Sequence, residues 1–292
     1  MANIIECIGN TPLVEIQKLN PNPNVKIYAK LEGNNPGGSV KDRAALNMIR
    51  SAMDRGDINK ESKLIEATSG NTGIALAMIA SLYDLEIELV MPSNSTRERT
   101  LTMEAFGAKV TLLESIEACR DYAEEKGKQP GYFLLDQFAN PDNYLAHYKT
   151  TGPEIWRDTD QQITHFVSSM GTTGSIMGNS MFLKEQNPAI QIVGCQPTEE
   201  SSIPGIRRWP KEYLPKIFDA SRVDRVLDVS QEEASLYARL LAKKEGIFAG
   251  MSSGGAFACS LKLAAELTSG VIVFIACDRG DRYLSSDLFI EK

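Results

Sequence analysis

Lys63-Leu64-Ile65-Glu66-Ala67-Thr68-Ser69-Gly70-Asn71-Thr72-Gly73-Ile74-Ala75-Leu76 carries the chain from a short apolar run into a longer apolar segment by way of a polar turn. The run Lys63 to Ala67 reads as a buried strand, and the residues after the turn read as an apolar helix. The residues from Thr68 to Thr72 are small or carry short polar side chains, and each also offers a backbone N–H. At a helix N-terminus such a turn makes a nest for a carboxylate or a phosphate. A capped turn without a ligand is the plain alternative, but it does not need so many hydroxyl and amide groups.

The same strand-to-helix alternation extends outward along nearly the whole chain. Val25 to Leu31, Glu86 to Met91, Lys109 to Leu113 and Tyr132 to Leu135 read as strands, as do His165 to Ser168, Ile190 to Gly194, Val223 to Val229 and Val271 to Ala276. Helix-period segments separate them; in one, Ala44, Ala45, Met48, Ile49, Ala52 and Met53 share a face. Ser95 with Glu98 and Ser230 with Glu233 have capping-box spacing and predict two helix starts. This pattern predicts an α/β fold of largely parallel sheets covered by helices, with ligands at the strand-to-helix junctions. No repeat or low-complexity linker divides the chain; the segment from about Pro141 to Gly152 is the weak candidate for a boundary.

Composition narrows the function. The net charge of −7 at pH 7 argues against coating nucleic acid or an anionic membrane. The charge-free stretch Ala67 to Tyr83 is broken by Ser, Thr, Gly and Asn and is too short to span a bilayer. The first residues lack the order of a signal peptide, so a cytoplasmic protein is expected. Five scattered cysteines argue against a disulfide framework, and two histidines outside any ligand pattern predict no metal site.

Four further constellations bear chemistry. Gly37-Gly38-Ser39-Val40-Lys41-Asp42-Arg43 opens the first amphipathic helix, with Ser39 or a neighbour available to cap it. A lysine there opposes the helix dipole; it is either solvated beside Asp42 or an amine of lowered pKa suited to Schiff-base formation. Gly171-Thr172-Thr173-Gly174-Ser175 is a second nest, suited to a phosphate monoester, and matches neither a Walker motif nor G-x-G-x-x-G. Gly250 to Ala256 precedes an apolar helix expected from Ala256 to Leu267, and Cys277 to Tyr283 follows the last strand; a helix cap and an ion-pair turn are the plain alternatives. An amine, a carboxylate nest and a phosphate nest together describe a site for pyridoxal phosphate and an amino acid.

Asn10-Thr11-Pro12-Leu13, Asn34 to Arg43, Thr68 to Gly73 and the Gly171 to Ser175 loop resemble the cysteine synthase group of fold-type II pyridoxal-phosphate enzymes, over about Ile5 to Leu288. Ser168 to Gly174, Ser201 to Pro210 and Cys277 to Tyr283 resemble the B-type branch of that group. The resemblance implies a two-domain, tryptophan synthase β-like fold, with a larger domain of residues 1–37 and 148–292 and a smaller one of residues 38–147. It implies that Lys41 binds the cofactor's aldehyde and acts as general base, and that Asn71 meets the ring hydroxyl. Gly171, Thr172, Thr173, Gly174 and Ser175 would hold the phosphate, and Ser252 would face the ring nitrogen. Thr68, Ser69, Gly70, Thr72 and Gln137 would bind the substrate carboxylate.

The implied reaction is β-replacement on O-acetyl-L-serine by sulfide, giving L-cysteine, with thiosulfate as a further donor. Arg207, Arg208, Cys277 and Asp278 are expected near the entrance to admit such an anion. A homodimer is implied. Serine dehydratase or cystathionine β-synthase chemistry on the same fold is the rival reading, and a scaffold for serine acetyltransferase is the non-enzymatic one. Acetylserine and phosphoserine are not separated at this level.

Overall fold

The computed structural model describes residues 3–68 and 70–290. Its strands, in chain order, are β1 (Leu13–Glu15), β2 (Val25–Leu31), β3 (Lys63–Ala67), β4 (Glu86–Pro92), β5 (Lys109–Leu113), β6 (Tyr132–Leu134), β7 (His165–Ser169), β8 (Gln191–Pro197), β9 (Arg225–Val229) and β10 (Gly270–Ala276). They form two sheets, ordered β1-β2-β10-β7-β8-β9 and β5-β4-β3-β6. Every pairing is parallel except that of β1 with β2. β10, Gly-Val-Ile-Val-Phe-Ile-Ala, has no polar side chain to turn outward and is buried through its last five residues, as a central strand covered on both faces requires.

The main helices are α1 (Lys41–Arg55), α2 (Asn71–Leu82), α3 (Arg97–Ala105), α4 (Ile116–Gly127), α5 (Pro141–Lys149), α6 (Thr151–Asp158), α7 (Gly174–Gln186), α8 (Gln231–Leu240) and α9 (Met251–Glu266). α8 and α9 pack on one face of the six-stranded sheet, and α6 and α7 on the other. On the smaller sheet α1, α2 and α3 share a core that includes Met48, Ile49, Leu76 and Met103, while Cys119 and Ala123 of α4 cover the opposite face. α2 is apolar all round and buried from Thr72 to Ala80, as a central helix must be. α5 lies between α1 and α7 and ties the two layers together.

Two motif expectations change in the folded chain. Ser95 does not cap α3: Thr96 occupies the N-cap with extended backbone, and Glu98 accepts a hydrogen bond from Ser285 Oγ at 2.7 Å instead. The Ser230–Glu233 box is complete at α8. α9 begins at Met251 rather than Ala256, so Gly254 and Gly255 lie inside the helix. A Cβ on Gly254 would collide with the Ala234 carbonyl and meet the Ala238 nitrogen at 2.6 Å, so glycine permits close packing of α8 on α9. The segment from Pro141 to Gly152 is helical, with Asn140 as N-cap and Pro141 in the first turn.

Candidate active site

A cleft opens where the strands of both sheets end. Its walls come from segments that follow strand C-termini, the position at which open parallel sheets present ligand sites. Lys41 follows β2, Asn71 and Thr72 follow β3, Arg99 follows β4, and Ile116 follows β5. Gln137 and Phe138 follow β6, Gly171 and Thr172 follow β7, Gly205, Arg207 and Trp209 follow β8, and Tyr283 follows β10.

Lys41 is the first residue of α1, and burial lowers its pKa against the opposing pull of Cys277, Asp278 and Glu32. Its backbone N–H donates to Ser39 Oγ at 3.2 Å. Two residues on, Arg43 pairs with Glu32 and Glu154, each at 2.7 Å, and Glu154 pairs with Lys30 at 2.8 Å. These buried ion pairs pin the start of α1 to the large sheet, and removing one partner would strand a charge. Asp42 accepts the Gly37 N–H, and burial pushes its carboxyl up to about 7.

The turn before α2 is internally bonded. Thr68 Oγ1 accepts the N–H groups of Gly70 and Gly73, both at 3.1 Å, so this hydroxyl faces its own loop rather than the cleft. Thr72 Oγ1 donates to Gln137 Oε1 at 2.7 Å, and Gln137 Nε2 donates to the Ala67 carbonyl at 2.6 Å. Gly70 has φ +148°, which favours glycine, and it lets the Arg99 side chain pack against the turn. Ser69 lies outside the described residues. Below the turn, Glu66 accepts the Gln137 N–H at 3.4 Å, and burial with nearby Asp136 pushes its carboxyl up to about 8.

The turn before α7 differs. Thr173 sits at φ 70°, an uncommon conformation for a β-branched residue, and its buried Oγ1 has no hydrogen-bond partner among the described residues. Thr172 Oγ1 accepts from Asn143 Nδ2 at 3.3 Å, and the same amide donates to the Gln137 carbonyl at 2.7 Å, linking the two turns. Gly174 begins α7 beside Asn143. The Ser175 hydroxyl contacts His147 Nε2 at 3.2 Å, away from the cleft wall. Burial pushes His147 down to about 3, so it is neutral at physiological pH.

Asn71 donates to Asp278 Oδ2 at 2.7 Å and accepts from Arg282, so the last loop grips both ends of its amide. Tyr283 also donates to Asp278 Oδ2 at 2.7 Å. Ser252 is buried beneath Gly205 and beside Cys277, whose thiol burial pushes up to about 11. Arg207 reaches the cleft, where burial and the neighbouring Arg99 lower its pKa. Arg208 does not: it pairs with Asp228 at 2.8 Å and donates to the Pro197 carbonyl, which corrects its expected place at the entrance. One arginine therefore serves the cleft and the other the surface. Arg99 belongs to no sequence motif, so only the folded chain brings it to the cleft.

The family of pyridoxal-phosphate dependent enzymes matches residues 4–278, and the chain belongs to it. Among curated relatives, cysteine synthase B of Pseudomonas aeruginosa is 60% identical, over 98% of this chain and 97% of its own length. Cysteine synthase B of Escherichia coli is 56% identical, over 100% and 97%. Among solved structures, O-acetyl serine sulfhydrylase isoform 3 of Entamoeba histolytica superposes with a TM-score of 0.93 at 36% identity, covering 100% of this chain and 92% of that one. The site fits the cofactor that this family uses. The unpartnered Thr173 hydroxyl at the start of α7 suits a phosphate oxygen, and the lowered amine of Lys41 shares its cleft.

Proposed function

We propose that this chain is a B-type cysteine synthase, replacing the acetoxy group of O-acetyl-L-serine with the sulfur of sulfide to make L-cysteine. The observation that carries the reading is an amine of lowered pKa at the head of α1, in one cleft with the N-terminal turns of α2 and α7. Lys41 would hold the cofactor's aldehyde, Gly171 to Ser175 its phosphate, Asn71 its ring hydroxyl and Ser252 its ring nitrogen. When bound, the pyridine ring accepts the electron pair left at the substrate α-carbon.

The chain's own work is binding and proton transfer. Gly70, Thr72 and Gln137, with Thr68 and Ser69 in the same motif, receive the carboxylate at the start of α2. Burial lowers the pKa of Lys41 Nζ, the direction that suits an amine taking the α-proton as general base. Acetate leaves the β-carbon with its bonding pair, the sulfur nucleophile adds there, and Nζ returns the proton to the α-carbon. Cofactor-loaded protein is expected to form cysteine from O-acetylserine and sulfide; full loading without turnover would overturn the reading.

Arg207 supports thiosulfate as a second donor, because its guanidinium and that of Arg99 put positive charge at the cleft. Arg207→Ala should lose thiosulfate turnover about tenfold while sulfide turnover changes less than about threefold, as loss of one charge-assisted contact predicts. Equal losses would argue for general damage. The proposed division is residues 1–37 and 148–292 against 38–147, in a cytoplasmic homodimer. No helix among the described residues is long and apolar enough to cross a membrane.

A further inference from the structure

A side-chain cluster centred on Arg120 joins the two walls of the cleft. Arg120 projects from α4, which covers the small sheet, and its guanidinium lies 4.3 Å from the ring centre of Phe138. The same group lies 5.7 Å from the Trp209 ring and 5.2 Å from the Tyr213 ring, on the segment that follows β8 of the large sheet. Its Nη1 donates to the Tyr213 carbonyl at 2.9 Å. Phe138 and Trp209 stand edge to face, 5.5 Å apart, and both line the cleft. Trp209 Nε1 then donates to the Gly171 carbonyl at 2.7 Å, in the turn before α7.

This arrangement has a direction. Arg120 is held by one small-sheet ring and by two rings and a carbonyl from the large-sheet segment, so it bridges the cleft rather than bracing one wall. A guanidinium suits the task because it stacks on aromatic faces while its edge donates to a carbonyl. The segment it captures carries Arg207, two residues after the exposed Gly205. We propose that Arg120 is a positioning residue that acts through Phe138 and Trp209, clasping the 205–213 segment to the 136–138 loop so that the cleft closes over the substrate.

The proposal deepens the reading of the cleft as a cysteine synthase site and rests on it. A clasp that closes the cleft improves ground-state and transition-state binding alike, so its loss falls on KM rather than kcat. In cofactor-loaded enzyme, Arg120→Met should raise KM for O-acetylserine about tenfold with kcat within about threefold, a size expected for a partly desolvated cation–π cluster. Arg120→Lys, which keeps the cation, should fall between parent and Arg120→Met. Trp209 supplies a readout independent of turnover, since the chain has only two tryptophans and Trp209→Phe assigns the signal. Its emission should move to longer wavelength in Arg120→Met as the ring is released to water.

Unchanged KM together with unmoved emission would overturn the clasp, as would a lowered melting temperature with KM unchanged. Equal behaviour of the Lys and Met variants would overturn the role of the charge. If the parent forms no cysteine at all, the functional reading fails, yet the emission of Arg120→Met still decides whether the clasp exists.

Discussion

The turns before α2 and α7 look alike in sequence, both mixing glycine with short hydroxyl residues, yet they fold to opposite conditions. In the first, Thr68 satisfies two backbone N–H groups and Thr72 is bonded to Gln137. In the second, Thr173 is held at positive φ with its buried hydroxyl unpartnered among the described residues. A turn that satisfies itself can exchange internal bonds for a ligand that comes and goes at each turnover. One that retains strain and an unmet hydroxyl is built around a group that stays. The difference supports the proposed placing of the transient carboxylate at α2 and of the resident phosphate at α7.

The largest expected effect tests the amine that both turns serve. Lys41→Ala should lower kcat at least about a thousandfold, within the range for loss of a general base, while cofactor still binds noncovalently through the α7 turn. Retained turnover would remove the amine from the chemistry, and loss of all cofactor affinity would show that the phosphate turn does not bind by itself. Next comes the strained turn. Thr173→Gly relieves a backbone cost of about 1–3 kcal/mol and adds about 0.5–1 kcal/mol of conformational entropy loss, so the cofactor-free protein should gain about 1 kcal/mol. Losing the hydroxyl should weaken cofactor binding about tenfold or more. Melting curves without cofactor and a cofactor titration check the two halves, and a variant that is both less stable and equally tight would erase the contrast. At the self-satisfied turn, Thr72→Val should raise KM for O-acetylserine about fivefold to tenfold with unchanged cofactor content.

The two turns also show which information the sequence carries. Val25–Leu31, Lys63–Ala67 and Lys109–Leu113 are strands over the residues that their short aliphatic and β-branched runs mark, a local signature that holds even for Lys109–Leu113 at the exposed edge of its sheet. Lys41, Asn71, Thr72, Gln137, Gly171 and Thr172 do meet in one cleft, since motifs at strand-to-helix junctions converge on one edge of the sheets. The remaining features depend on partners far away in the chain. Gly254 resembles a loop glycine until α8 packs against it, and the Ser95–Glu98 spacing resembles a cap until Ser285 takes the carboxylate. Arg99 and Arg120 stand in ordinary charged helices, and only the approach of Tyr283 or Phe138 gives them a place in the site.

The smallest predicted effect distinguishes the turns by pH. Each rests on a buried titratable group, and the two groups respond with opposite sign. Glu66 lies under Gln137, and its carboxyl is raised from an ordinary 4.5 to about 8, chiefly by burial and next by Asp136. The folded chain therefore holds a proton that the unfolded chain gives up, so this contribution is full below about 4.5 and is lost as pH rises through about 8. His147 supports Ser175, and burial lowers it from 6.5 to about 3, with Arg43 and Lys41 acting in the same direction against Glu32 and Glu154. Its contribution is present above about 6.5 and is lost as pH falls toward 3. Melting temperature measured without cofactor should therefore fall on both limbs. Glu66→Gln, an isostere of the neutral acid, should flatten only the alkaline limb, and His147→Asn only the acid one, by a few degrees where about 1 kcal/mol corresponds to about 2–4 °C. If Glu66→Gln leaves the alkaline slope intact, the carboxyl beneath the carboxylate turn is ionised in the folded state, and the α2 turn owes its closed bonding to Thr68 and Gln137 alone.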